Sequence, residues 1–482
     1  MGQFFKVRTF QIAAIALAVF LVLIVNREFG AADNGDFVRY MREYASIPVN
    51  MKDTAPALFS DGWKDRYFYQ PEFYWKPELP DFAQPWFTSA TVFWKLGDLL
   101  GEYLFSPNVV NLRYIGLPLC LLHFFALFLM IRRVPPATMG SALAIMGTFL
   151  VMTDARISAF YNSFYAESVP FVALFTVFCV LSCRMFSREP VPQGTWSESG
   201  LFALSLAMLL LAVLAKRQYL YFVGPALILS YYYLAAELRL RRIQCFALLG
   251  VFAVVLAYAV SGVTTSQRID NPEELEASRY TSYHALYFGL LPHSKKQTQL
   301  LAELGLPAAS ESFIGKDAWD PVRAKFIVEH QELTIATYLR AIVLDPRAFL
   351  GSLWQNAKQV GNFDIGLGMT HGDRMKFPPA LISAFSTGFT KMAGAGIFVL
   401  SVLLAGALVL FPVGDSAERR FACRILSLIL LVIIVSDVAI STFDGRQEAR
   451  KHVMVASLAA ALMLVCGIAA LVGRWRQRPQ TT

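Results

Sequence analysis

A chain of 482 residues that is 56% hydrophobic and only 16% charged is not an ordinary soluble domain, where roughly a quarter of residues carry charge. Its 43 Lys and Arg exceed its 35 Asp and Glu, but the excess is scattered over short loops between apolar runs. That pattern is a membrane-topology signal and argues against a polynucleotide partner.

A membrane span needs about 20 largely apolar residues. Ten runs approach that length: 10–26, 112–131, 139–153, 168–183, 200–215, 219–235, 243–262, 392–412, 422–442 and 453–473. The expected fold class is therefore all-α, a polytopic transmembrane helix bundle of about ten spans with mostly helical extracytoplasmic loops. The first run, "QIAAIALAVFLVLIV", follows Lys6 and Arg8 but lacks a small-residue cleavage site, so it reads as a retained span. Lys and Arg collect on the cytoplasmic side of short loops. With both termini cytoplasmic, every inner loop is basic, including Arg132 and Arg133, Arg184 and Arg188, Arg239, Arg241 and Arg242, and Arg419 and Arg420. Three regions follow: an N-terminal transmembrane region at 1–262 containing a first outer loop at 27–111, a large outer loop at 263–391, and a C-terminal transmembrane region at 392–482.

The outer segments carry the polar chemistry. Just past the first run, "AADNGDFVRYMREY" sets Asp33 and Asp36 around an Asn-Gly turn, with Asp36 either a helix N-cap or a carboxylate presented at the membrane surface. The aromatics of 65–87 read as interfacial anchors or as a platform for apolar sugar faces. The segment 85–105 reads as a helix on the outer interface. "TDARISAFYNSFYAESVPF" places Asp154, Arg156 and Glu167 around an aromatic stretch. In "AVLAKRQYLYF", Lys216, Arg217 and Gln218 form a short outer turn that defies the positive-inside bias, and "FDGRQEARKHV" repeats the exception with Arg446, Arg450 and Lys451 beside Asp444, Glu448 and His452. Snorkelling to headgroups accounts for one such cation; two such turns suggest a shared anionic ligand such as a lipid phosphate. Asp437, inside a span below the second turn, is a functional-site candidate by its position.

The long loop is nearly neutral, with twelve Lys and Arg against thirteen Asp and Glu between 263 and 390. Within it, 323–360 reads as two amphipathic helices broken at Pro346. His284, His293, His330 and His371 lack metal-ligand spacing and read as solvated loop residues. None of Cys120, Cys179, Cys183, Cys245, Cys423 and Cys466 falls in an outer loop, so neither a disulfide framework nor a cysteine metal site is implied.

Several stretches, in this order, resemble the bacterial glycan-biosynthesis hexose transferase family within the GT-C superfamily of polytopic glycosyltransferases: "NGDFVRYM", "FYNSFYAESV", "AKRQ", "YHALYFGLLPHSKKQTQLLAELGLP" and "DGRQEARKHV". The last departs from the family's Gly-Asp-Gly flavour by reading Phe443-Asp444-Gly445, which keeps the carboxylate. What the resemblance implies is transfer of a hexosyl or pentosyl group, with inversion, from a polyprenyl-phosphate sugar donor to a glycan, lipid or protein acceptor on the extracytoplasmic face of a bacterial inner membrane. The catalytic base would be Asp36, with Asp33 the alternate. The donor phosphate would lie against Lys216, Arg217, Arg446, Arg450 and Lys451. Asp154, Glu167, Gln218, Asp444, Glu448 and His452 would orient sugar hydroxyls or those cations. No cofactor is implied, and a divalent cation is left open. The competing readings are a lipid-linked glycan ligase or polymerase, and a flippase or transporter of a lipid-linked sugar.

Overall fold

A computed structural model describes residues 47–48, 73–75, 88–107, 109–134, 136, 138–162, 165–186, 196–236, 244, 249–250, 253, 272–318, 320–363, 383–444 and 452–475. These residues are helical apart from one small antiparallel sheet. Its strands β1 (Ile47–Pro48), β2 (Phe73–Trp75) and β3 (Val109–Asn111) pair in sequence order, with Trp75 opposite both Ile47 and Val109. The expectation of mostly helical outer loops does not include this sheet. Its aromatic and β-branched strand residues suit a pleated surface, but runs of two or three residues are too short to show a period.

In chain order the helices of the first half are α1 (Ala90–Leu104), α2 (Leu117–Arg133), α3 (Met139–Met152), α4 (Ser168–Phe186), α5 (Trp196–Val213) and α6 (Val223–Ala236). The large loop contributes α7 (Pro272–Tyr283), α8 (Gln297–Glu303), α9 (Pro321–Glu329), α10 (Ile335–Leu344) and α11 (Pro346–Ala357). The second half holds α12 (Ala384–Met392), α13 (Ala395–Leu410), α14 (Ala417–Ile440) and α15 (Met454–Trp475). Among the described residues three helices are long and apolar enough to cross a membrane: α4, α14 with the turn that follows it, and α15. A fourth arises if α12 and α13, bent by 98° at their junction, form one broken span. The bend falls at Gly394, whose φ of 139° disfavours any residue with a Cβ. Eight of the ten apolar runs coincide with described helices, but several are short. At 14 residues, α3 extends about 21 Å against a hydrocarbon core of about 30 Å. The run at 219–235 opens with a 3-10 turn over Arg217–Phe222, so its α-helix starts only at Val223. The runs at 10–26 and, almost wholly, 243–262 lie outside the described residues.

The bundle is organised around α4. Its apolar window is 94% buried, against 61% for α14 and 72% for α15, which makes α4 the central helix. A helix apolar all round needs neighbours all round. Close packing elsewhere depends on small residues. A Cβ on Gly140 of α3 would stand 2.5 Å from the Ala469 carbonyl oxygen of α15, and one on Gly147 would meet Val465 at 2.7 Å. Glycines seven residues apart thus let α3 lie against α15, the close approach that small residues permit between apolar helices. His123 of α2 is fully buried. Its Nε2 donates to the Met152 carbonyl at 2.8 Å, and its Nδ1 accepts from the Tyr161 hydroxyl at 2.8 Å. One neutral tautomer therefore ties the end of α3 into the core.

The large loop has a second hydrophobic core built from Tyr283, Leu286, Tyr287, Leu290, Leu301, Ile327 and Tyr338. Between α7 and α8 the chain winds as a π-helix over His284–Leu290. There the Tyr287 carbonyl accepts the Gly315 N–H at 2.9 Å and His284 Nε2 accepts the Ala318 N–H at 3.0 Å. His284 is buried and structural rather than solvated, because the π-helix turns its ring toward a backbone donor. His330 keeps a partly exposed ring and pairs with Glu332; His371 lies outside the described residues. The segment 323–360 forms three helices, not two. Two Asp-Pro pairs explain the starts: Asp320 caps α9 through the Val322 N–H at 2.9 Å, and Asp345 caps α11 through the Ala348 N–H at 3.1 Å, each with Pro at the first helical position. Thr334 supplies the cap of α10, the start that the sequence reading missed.

The Asp345 cap also joins two parts of the loop. Its Oδ2 accepts from Ser294 Oγ at 2.7 Å, and Lys296 Nζ donates to the Leu344 carbonyl at 2.9 Å. Burial alone would raise the Asp345 carboxyl, but the Ser294 and Ala348 hydrogen bonds and the Lys296 charge hold it below its ordinary value. Its stabilisation is then fully present above the unfolded-state value of about 3.9 and is lost as pH falls through the lower folded value. Asp345→Ala is expected to lower stability at pH 7 by about 1 kcal/mol, with the gap from the parent closing on acidification; thermal melts in detergent across pH test this. Gly140→Val is expected to cost about 1–3 kcal/mol through overpacking. Gly406→Ala, whose Cβ meets nothing within 4 Å, serves as the silent control in the same melts.

Candidate functional site

Four of the site residues suggested by the sequence meet at the end of the bundle where α5 stops and α15 starts. Residues preceding α1 bind carbonyls at the end of α5 and in the two residues that follow it. Thr88 Oγ1 donates to the Ala215 carbonyl at 2.7 Å, Ser89 Oγ to Leu211 at 2.6 Å and the Ser89 N–H to Leu214 at 3.1 Å. Thr88 is thereby stitched to Ala215, the residue immediately before Lys216.

Lys216 is extended, and the 3-10 turn Arg217–Phe222 follows it. Its ammonium lies 3.0 Å from Glu167 Oε1, at the start of α4; the Lys side chain is one-quarter exposed and the Glu side chain almost fully buried. A carboxylate here, at the head of the central helix, needs a cation, because an unpaired buried charge costs several kcal/mol. An ammonium has three donors, so an anion can approach the exposed part of Lys216 while Glu167 holds it in place. Gln218 lies two residues on and accepts through Oε1 from His452 Nδ1 at 2.9 Å. Because a carboxamide oxygen only accepts, the His452 proton in this bond sits on Nδ1. This contact joins the first basic turn to the residue that closes the second.

Four predicted site residues thus form one cluster: Glu167, Lys216, Gln218 and His452. Asp154 forms another. It is buried, accepts the Ser386 N–H at 2.8 Å and caps a short helix through the Arg156 N–H at 3.0 Å. Burial pushes its carboxyl above the ordinary value, an effect that the Ser386 and Arg156 hydrogen bonds only partly offset. The Arg156 guanidinium donates to the Phe363 carbonyl at 3.3 Å, and the Phe363 N–H donates to Thr390 Oγ1 at 2.9 Å. Asp154 and Arg156 therefore fasten the chain at both 363 and 386, a structural duty. Asp33, Asp36, Arg446, Glu448, Arg450 and Lys451 lie outside the described residues. Arg217 and Asp444 are described in backbone alone.

Three further contacts bear on this end of the bundle and its opposite. The Tyr338 hydroxyl, from the large loop, donates to Thr442 Oγ1 at 3.2 Å, and its ring packs edge-on against Phe443 at 4.9 Å. The second core is thereby docked on the turn Ser441–Asp444 that leads into the second basic segment. Asp437 and Tyr221, both partly or fully buried, meet at 2.9 Å. At the opposite end of the bundle, Arg184 pairs with Glu418 at 2.8 Å, so the end of α4 is joined to the start of α14. Position in a span marked Asp437, whereas nothing local marks Tyr338 or Tyr221 among many tyrosines. Among the described residues no group of His, Cys, Asp and Glu has metal-binding geometry.

A family model described as the YfdI N-terminal transmembrane domain matches residues 4–338. No curated protein matches the chain, and no solved structure does.

The Lys216–Glu167 pair makes a double-mutant cycle informative. Lys216→Met alone removes a cation from a buried carboxylate and is expected to be more destabilising than Lys216→Met combined with Glu167→Gln. A coupling of about 1–3 kcal/mol between the two sites, read from melts, is the expected outcome; additivity would mean that the pair contributes nothing.

Proposed function

The chain belongs to the family of the YfdI N-terminal transmembrane domain, and from that premise we propose that it is a GT-C-like membrane glycosyltransferase using a polyprenyl-phosphate sugar donor. The observation that carries the reading is the Gln218–His452 hydrogen bond. It brings His452, the residue that follows the cations of the second segment, to the first basic turn, and both segments carry cations on the wrong side of the positive-inside pattern. A single phosphate recognised by both supplies the physical reason for keeping them there.

In this reading about ten spans cross the bacterial inner membrane, both termini are cytoplasmic, and the cluster opens on the extracytoplasmic face. The acceptor hydroxyl oxygen attacks the anomeric carbon while the bond from that carbon to the donor phosphate oxygen breaks. Its electron pair stays on the polyprenyl phosphate, and the hydroxyl proton passes to the Asp36 carboxylate. Lys216, Arg217, Arg446, Arg450 and Lys451 stabilise the charge that develops on the departing phosphate. Glu167 and Gln218 keep the first basic turn in position, and His452 the second. Backside attack inverts the anomeric centre.

Purified protein in detergent, supplied with a panel of undecaprenyl-phosphate sugars and a cell-envelope glycan acceptor, is expected to release undecaprenyl phosphate and glycosylate the acceptor. Asp36→Asn is expected to lower the rate by about 10²- to 10⁴-fold. Full activity in Asp36→Asn with none in Asp33→Asn would move the base to Asp33. Activity insensitive to both substitutions would sink the mechanism.

A further inference from the structure

The steps above make no use of Asp437. It lies in α14, three residues before the helix ends, and is 2% exposed. An ionisable side chain among apolar helices is costly unless its oxygens are occupied. Both are. Oδ1 accepts from the Tyr221 hydroxyl at 2.9 Å, and Oδ2 accepts the Ala456 backbone N–H at 2.7 Å.

The two partners matter for where they lie. Tyr221 sits in the 3-10 turn that begins at Arg217, directly after Lys216. Ala456 is the third residue of α15, four past His452. The N–H groups of a first helical turn have no intrahelical acceptor, and a nearby Ser, Thr, Asp or Asn ordinarily supplies one. The residues before α15 are Lys451, His452 and Val453, none of that type. A carboxylate on another helix supplies the acceptor instead, and its second oxygen holds the other turn. The first basic turn is thus tied twice to the start of α15: through Gln218 to His452, and through Tyr221 and Asp437 to Ala456.

We propose that Asp437 is a positioning residue that holds the two basic turns in register for one anionic donor, acting through Tyr221 and the first turn of α15. The clamp stands on the two hydrogen bonds; its service to a donor phosphate rests on the function proposed above. An amide keeps the clamp, since Oδ1 of Asn can accept from Ala456 while Nδ2 donates to the Tyr221 oxygen. A clamp therefore tolerates Asp437→Asn but not Asp437→Ala. An acid that must exchange protons, as in a coupled transporter, tolerates neither.

Two measurements on the full-length protein in detergent decide this. In the first, Gln218→Cys and His452→Cys are combined in a background with the six native cysteines replaced, and the rate of joining by a short bis-methanethiosulfonate reagent reports the proximity of the turns. Asp437→Ala is expected to slow joining about tenfold, since it removes two hydrogen bonds to a charged group, and Asp437→Asn to restore it to within about twofold. Tyr221→Phe, which removes one tie and leaves the carboxylate, is expected to slow it less, and it supplies the comparison if Asp437→Ala does not fold. An unchanged rate in Asp437→Ala or, should that variant not fold, in Tyr221→Phe overturns the clamp, as does an Asn variant as slow as the Ala variant. In the second, on the native cysteine background, affinity for undecaprenyl phosphate is expected to follow the same order. Slowed joining with unchanged affinity overturns the link to the donor. If the parent protein does not bind undecaprenyl phosphate, the proposed function fails, and the joining rates still decide whether the clamp exists.

Discussion

The arrangement depends on one constraint: a carboxylate buried in an apolar helix bundle must have its charge or its lone pairs occupied. Glu167, Asp154 and Asp437 are all nearly inaccessible, and each meets the constraint by reaching a different part of the chain. Glu167 takes the Lys216 ammonium, Asp154 takes the Ser386 and Arg156 N–H groups, and Asp437 takes Tyr221 and Ala456. Because an unsatisfied buried group is more costly than a satisfied one is favourable, each acid fixes its neighbours more strongly than an apolar contact would. The polar groups are therefore struts, and they gather at the end of the bundle where the loops return.

The large loop extends this scheme with a core of its own. A loop of that length is held only if it buries apolar surface, and the Tyr283–Tyr287 stack with Leu290, Leu301 and Ile327 supplies it. Phe443 and Thr442, which belong to the bundle, are gripped by Tyr338 of the loop. The turn leading into the second basic segment is therefore held by the loop. The first basic turn and the start of α15 end up adjacent, through elements far apart in sequence.

How far this could be read in advance varies by element. The apolar runs marked eight described helices because burial against lipid or neighbours demands composition alone. The helix start at Pro346 was legible in the loop, whereas the start after Thr334, whose cap has no proline to flag it, was missed. Lys216 stood out because its charge opposed the topology. Gln218 and His452 became meaningful only as a pair, since neither residue alone differs from an ordinary surface amide or imidazole. The π-helix at 284–290 left no trace in the sequence, because it is stabilised by carbonyl and ring contacts to residues 315 and 318.

By itself the sequence determined that the chain is a helical membrane protein with polar chemistry in its loops, because hydropathy and charge asymmetry are sums over composition and need no neighbours. Which carboxylate meets which cation was decided only by the tertiary structure. Glu167 and Lys216 are 49 residues apart, and Gln218 and His452 are 234 apart. The distance between such groups is set by how α4, α5, α14 and α15 pack around one another, and that packing is a property of the bundle as a whole.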